Sequence, residues 1–463
     1  MNKQPVISSK ENDINASNRR DFLKKASIGG LGMGFLGNNP EGYISSDNND
    51  SDMESSASSN IRITDLRCAV IGNSPIVRIV TDQGISGYGQ IESAKASYIK
   101  PHVLFYKDYL IGEDPTNVER VMMKIRRMGS FKPWGSAVSA IEMALWDIAG
   151  RAANLPVYKL LGGKVRDQVR CYCTTMHRMP VWGNTPQDYA DWGARVRDSE
   201  HGFSIIKSTI AYHSPMPSQV PNFTYRNISP AAKGSRDYFY YRGPLTGSGI
   251  KYITKHVEAM RKGLGDDHDL VLDCGPGFML SDAIRVAKAL EPFNIMWLED
   301  MLTGDYTPYV LADDYRRLTE STSVPIHTGE QLYLRQNFRE LIERHAVNIL
   351  GPDPADMGGI AELKWVAEFA DLYGIQIAPH GIFNGVLGVA AHVQVGATMP
   401  ENYIAFEYSH PDPVWWCDIV EGLPDPVVKN GLVDVWDRPG MGVDFIVSRA
   451  RKHLREEDKN FFD

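Results

Sequence analysis

Between residues 169 and 408 the sequence keeps one rhythm. Short apolar runs (VRCYCTT, SIIKST, LVLDCG, IMWLED, VPIHTGE, VNILGPD, IQIAPH and YIAFEY) are mostly separated by helical patterns such as SDAIRVAKALEPF, LRQNFRELIERHA and GIAELKWVAEFADLYG. A helix between two strands carries the chain back to the start of the sheet, so successive strands lie parallel. Eight such strands suit closure into a barrel. The alternation predicts an α/β barrel over 166–410.

The flanks lack this rhythm. IRITDLRCAVI, PIVRIVTD and GISGYGQIES read as three short strands with a turn at Asp82-Gln83-Gly84. Then Val138, Ile141, Ala144, Leu145 and Ile148 share one helical face, in a pattern that stops at Gly162-Gly163. Residues 61–165 therefore read as an α+β unit. The Pro- and Gly-rich segment 411–463 is expected to fold back onto it. Residues 210–247 form a long insert after the second barrel strand, rich in aromatic residues, which belongs at the barrel mouth.

Residues 1–60 are set apart from the fold. NRRDFLKKASIGGLGMGFLG (18–37) resembles a twin-arginine export signal through Arg19, Arg20, Phe22, Leu23 and Lys24, which implies a periplasmic location. It is too short and glycine-rich for a stable membrane span. The Ser/Asn/Asp-rich stretch 38–60 reads as a disordered linker. The net charge of −8 offers no basic excess for nucleic acid. Five cysteines at loose spacings suggest no disulfide framework or zinc site.

Barrel sites form at the C-terminal ends of the strands. Those ends supply Lys207, Asp273, Glu299, Glu330, Asp353, His380 and Glu407. Three neighbouring carboxylates, Asp273, Glu299 and Glu330, repel one another unless a divalent cation sits among them. Hard oxygen ligands favour Mg²⁺, with Mn²⁺ second. Asp300 and Asp356 read as helix caps or surface acids, and His327 and His392 as packed or solvent-exposed side chains.

The chain from about 61 to 440 resembles the mandelate racemase/muconate-lactonizing subgroup of the enolase superfamily. AVSAIEMALWDIAG, running on through Pro156 to LLGG, is similar to the family's helix signature. LDCG, WLED and HTGE resemble its metal-ligand strands, GPDPADMGGIAE its PD…GG motif, APHG its histidine strand and FEY its final glutamate. The resemblance implies a (β/α)7β TIM-like barrel under an α+β capping domain, and a homo-oligomer. It also implies that Asp273, Glu299 and Glu330 hold Mg²⁺. His380 is then the general acid or base oriented by Asp353, while Lys207 and Glu407 meet the substrate carboxylate.

One departure matters. Many members carry Lys-x-Lys on the second barrel strand, where this chain has Lys207-Ser208-Thr209. Thr209 is no base at neutral pH, although Tyr212 or His213 just beyond can take the missing place at the substrate. A single base suits elimination better than racemisation. The expected activity is dehydration of an acid sugar (an aldonate) to a 2-keto-3-deoxy acid, with capping loops near 72–75 and 92–100 reading its hydroxyls. Ring opening of an anhydro sugar acid by a cycloisomerase is the alternative, followed by an epimerase or racemase. From other classes come a metal-independent glycoside hydrolase and a sugar-acid-binding pseudoenzyme.

Overall fold

The computed structural model describes residues 60–130, 134–174, 185–200, 202–226, 243–275, 277–302, 311–381, 385–409 and 415–463. The export-signal and linker readings therefore lie outside the described residues, as does 227–242 of the insert.

Three antiparallel strands come first: β1 (Ile63–Ile71), β2 (Ser74–Thr81) and β3 (Ser86–Gln90). They pack on the helix Trp134–Ala153, whose Val138, Ile141, Ala144, Leu145 and Ile148 are all buried in the shared core. Sheet and helix meet backbone to backbone at Gly89, where a Cβ would stand 1.9 Å from the Ala140 carbonyl oxygen. The helix stops short of Gly162-Gly163. Asn154 turns left-handed at φ 54° and Pro156 cannot donate to a helical ladder. Val157–Leu160 is consequently a separate short helix.

The barrel strands are β4 (Gln168–Thr174), β5 (Ile205–Thr209), β6 (Asp269–Asp273), β7 (Ile295–Glu299), β8 (Ile326–Thr328), β9 (Ile349–Leu350), β10 (Gln376–Ile377) and β11 (Phe406–Ser409). Neighbours from β4 to β10 are parallel, and β11 pairs parallel with β4. The ring closes at Ile377, whose N–H donates to the Asn402 carbonyl at 2.9 Å and whose carbonyl accepts from Ile404 at 2.8 Å. One of the expected helices is broken: LRQNFRELIERHA yields a 3-10 turn, Arg335–Asn337, and a short helix, Arg339–Glu343.

Inside the ring Tyr172, Ile205, Val271, Trp297, Ile349, Ala378 and Ala405 form one buried apolar layer. His327 supplies the share of β8, stacked on Trp297 with ring centroids 5.4 Å apart. Side chains alternate along a strand, so the residue two positions further on faces the same interior. That rule aims Lys207, Asp273 and Glu299 into the space above the layer, and His380 and Glu407 keep the same two-residue spacing from Ala378 and Ala405 at the margins of β10 and β11.

After β11 a short strand, Leu432–Asp434, pairs antiparallel with β4, and the chain then returns to the first sheet. Asp458 accepts from the Val70 N–H at 2.9 Å, and Arg78 donates to the Phe461 carbonyl at 2.8 Å. Among the described residues no helix is long and apolar enough to cross a membrane.

Candidate active site

Lys207 stands at the centre of the mouth. Its ammonium lies 2.7 Å from Glu299 Oε1, 2.8 Å from Glu407 Oε1 and 3.5 Å from Asp273 Oδ2. Burial opposes its charge, but Glu299 and Glu407 hold its pKa well above the usual lysine value. Across the mouth, His380 Nδ1 is 2.7 Å from Asp353 Oδ2, and the Ala355 N–H donates to Asp353 Oδ1 at 2.7 Å. The other ring nitrogen, Nε2, faces inward, 3.3 Å from Glu330 Oε2 and 3.5 Å from Glu407 Oε2. Burial works against a proton on this imidazole. Glu330, Glu407 and Asp353 outweigh it, so its pKa stands well above the ordinary histidine value.

His213 enters from the turn after β5, with Nδ1 3.2 Å from Asp273 Oδ1. Burial pushes the Asp273 carboxyl up, yet His213 and Lys207 hold it below the usual range. Glu299 is pushed up to about 7, by burial first and then, against the pull of Lys207, by the charges of Asp273, Glu407 and Glu330.

Several sequence expectations need correction. Tyr212 does not turn toward the site: its hydroxyl donates to the Gly243 carbonyl and its ring packs 5.2 Å from Phe278, in the core. Asp300 is buried and accepts from Thr328 Oγ1 at 2.8 Å, while Asp356 binds Lys95 at 2.5 Å, so neither is a surface acid. His327 and His392 are packed, one of the two readings the sequence leaves open; burial pushes His327 down to about 4, and its Nε2 lies 3.0 Å from the Ala378 carbonyl oxygen.

The donor chemistry suits a cation. Asp273, Glu299, Glu330, Asp353 and Glu407 are five buried carboxylates. With Lys207, His380 and His213 protonated and all five acids ionised, two negative charges are left over. A hard dication matches that excess and the all-oxygen donors. The spacing is that of a site neutralised by its own lysine. Among the described residues no three Asp, Glu, His or Cys side chains close on one ion position, and Lys207 stands between Asp273 and Glu299 instead.

Residues 196–448 match the family described as enolase C-terminal domain-like, and 71–162 match the mandelate racemase/muconate lactonizing enzyme N-terminal domain. The chain belongs to the mandelate racemase/muconate lactonizing enzyme group of the enolase superfamily. This enolase-superfamily chain is 32% identical over 412 residues to D-xylonate dehydratase of Haloferax volcanii, covering 86% of itself and 90% of that protein. A mandelate racemase/muconate lactonizing enzyme-like structure from Rubrobacter xylanophilus superposes at TM-score 0.72 with 31% identity, over 86% of this chain and 99% of that one. The 3,6-anhydro-D-galactonate cycloisomerase of Zobellia galactanivorans superposes at TM-score 0.66 with 25% identity, over 85% and 100%.

Sequence reasoning missed one part of this enolase-superfamily mouth. Lys95, paired with Glu92 in the loop after β3, reaches the barrel at Asp356. The sequence marks that loop as a hydroxyl reader, but nothing in it pairs Lys95 with an acid some 260 residues later.

Proposed function

We propose that this chain is a Mg²⁺-dependent dehydratase of an aldonate. The observation that carries the reading is the His380–Asp353 pair at 2.7 Å, aimed at a pocket of clustered carboxylates around Lys207. The relationship to a protein named D-xylonate dehydratase supports the substrate class. Asp273, Glu299 and Glu330 would hold Mg²⁺, or Mn²⁺ as second choice. When bound, the dication supplies positive charge where a second negative charge develops on the substrate carboxylate.

The chain's own residues do the rest. Asp353 accepts from Nδ1–H of His380, so Nε2 is the nitrogen that exchanges the proton, and the raised pKa makes the neutral ring a strong base. Nε2 takes the α-proton of the sugar acid. The β-carbon–oxygen bond then breaks, and the same imidazolium returns a proton so that hydroxyl leaves as water. The enol left behind ketonises to the 2-keto-3-deoxy acid. Lys207 and Glu407, 2.8 Å apart, would receive the substrate carboxylate, with His213 at its edge. The twin-arginine-like stretch at 18–37 supports extending the proposal to a periplasmic enzyme.

The test is a panel of aldonic acids with Mg²⁺, assayed for 2-keto acid and product mass. Loss of water supports dehydration; no turnover across a broad panel counts against it. The likeness to an anhydrogalactonate cycloisomerase favours ring opening as the second reading. Its product would be isobaric with the substrate.

A further inference from the structure

Lys95 crosses from the first unit to the barrel. Its ammonium lies 2.5 and 2.6 Å from the two Asp356 oxygens and 2.8 Å from Glu92 Oε2. Ser136, near the start of the helix Trp134–Ala153, donates to the same Asp356 carboxylate. The side chains of Lys95, Glu92 and Asp356 are only 15%, 17% and 12% exposed. An exposed pair contributes little, whereas an enclosed one is costly to break because a charge is left without its partner.

Asp356 and Asp353 share one tight turn. The N–H groups of Asp356 and Met357 donate to the Asp353 carbonyl at 3.0 and 2.8 Å. The Ala355 N–H holds one carboxylate oxygen of Asp353, and His380 Nδ1 meets the other. Immediately beyond, the Gly358 N–H donates to Ser139 Oγ at 2.9 Å. The turn that orients His380 is thus gripped from the helix side at Gly358 and from the loop after β3 at Asp356. So many bonds within a few residues leave Asp356 and Asp353 little freedom to move apart.

We propose that Lys95 is a positioning residue: by clasping Asp356 it fixes the 353–358 turn, and through Asp353 it sets the aim of His380. The inference rests on the reading of His380 as the proton carrier. Lys95 itself touches no reacting atom in this scheme.

The test uses the full-length protein as wild type, Lys95→Met, Lys95→Arg, Asp356→Asn and the Lys95→Met/Asp356→Asn double variant. Two readouts are taken: the His380 ring N–H resonance of the resting protein by ¹H–¹⁵N NMR, and kcat and KM on an aldonate. With folding verified by circular dichroism, Lys95→Met should move or broaden the resonance. It should lower kcat by about 10- to 100-fold, the scale of a small misplacement of a catalytic group, with KM changed less than about threefold. Lys95→Arg should recover to within about threefold, and the double variant should be no worse than the singles, since both remove one interaction. An unmoved resonance with unchanged kcat overturns the clasp. So does a loss confined to KM, the mark of direct substrate contact. If Lys95→Met does not fold, Asp356→Asn decides by the same criteria. If the wild type turns over no aldonate, the dehydratase reading fails on its own; the resonance then decides the clasp, a shift supporting it and no shift overturning it.

Discussion

Most polar groups at the mouth follow an apolar one by two positions: Ile205 and Lys207, Val271 and Asp273, Trp297 and Glu299, Ala378 and His380, Ala405 and Glu407. Period two is a property of any strand, so the pairs on β5, β6 and β7 are legible before any tertiary contact is known, and those at the margins of β10 and β11 keep the same spacing. Loop side chains carry no such period. Tyr212 and His213 are neighbours after β5, yet one packs in the core and the other meets Asp273. The central carboxylates lead to a direct expectation. Asp273→Asn removes one negative donor, and Mn²⁺ affinity measured by calorimetry should fall at least tenfold with the fold intact; unchanged affinity would remove Asp273 from the ion's shell. His392 gives a pH effect away from those carboxylates. Its ring stacks on Phe406 at 4.9 Å, and burial first, then the charge of His380, push its pKa down to about 3. Above the unfolded value near 6.5 both states hold it neutral. As pH falls from there toward 3 only the unfolded chain gains the proton, so stability is lost over that window, by a few kcal/mol at most. Urea titrations of wild type and His392→Leu should show a shallower acid loss in the variant.

Helices and strands differ in how far their limits can be read. The apolar face 138–148 predicts its helix correctly, because five spaced positions fix it. Where it ends is decided by Asn154 and Pro156, punctuation that the downstream glycines conceal. The helix Ile360–Asp371 begins with no cap of its own from Gly359. Glu142 from the helix Trp134–Ala153 supplies it, accepting from the N–H groups of Ile360 at 2.9 Å and Ala361 at 3.0 Å. Gly359 permits the approach: its φ is 108°, and a Cβ would lie 2.1 Å from Glu142 Oε2. A carboxylate there satisfies orphan donors and complements the positive helix end. Glu142→Ala should cost about 2–3 kcal/mol in urea denaturation, and Glu142→Gln about 1 kcal/mol. Equal stability of Glu142→Ala and wild type would show the cap to be dispensable.

Over the whole molecule, the alternation of strand and helix is enough to foresee the eight parallel staves. The seam between the first unit and the barrel was not legible, because Lys95–Asp356, Ser139–Gly358 and Glu142–Ile360 join residues more than 200 positions apart without any local pattern. In the proposed reading the fold brings His380, as proton carrier, against an acid-rich mouth. The direct trial is turnover of an active aldonate with Mg²⁺ in D₂O, for wild type and His380→Asn. The wild-type product should have lost one water and carry one deuterium at C3 from ketonisation of the enol. His380→Asn should lose about 10²- to 10⁴-fold in rate, the usual contribution of a positioned acid–base group. A His380→Asn variant that still dehydrates at the wild-type rate would contradict the assignment of His380 and the mechanism built on it.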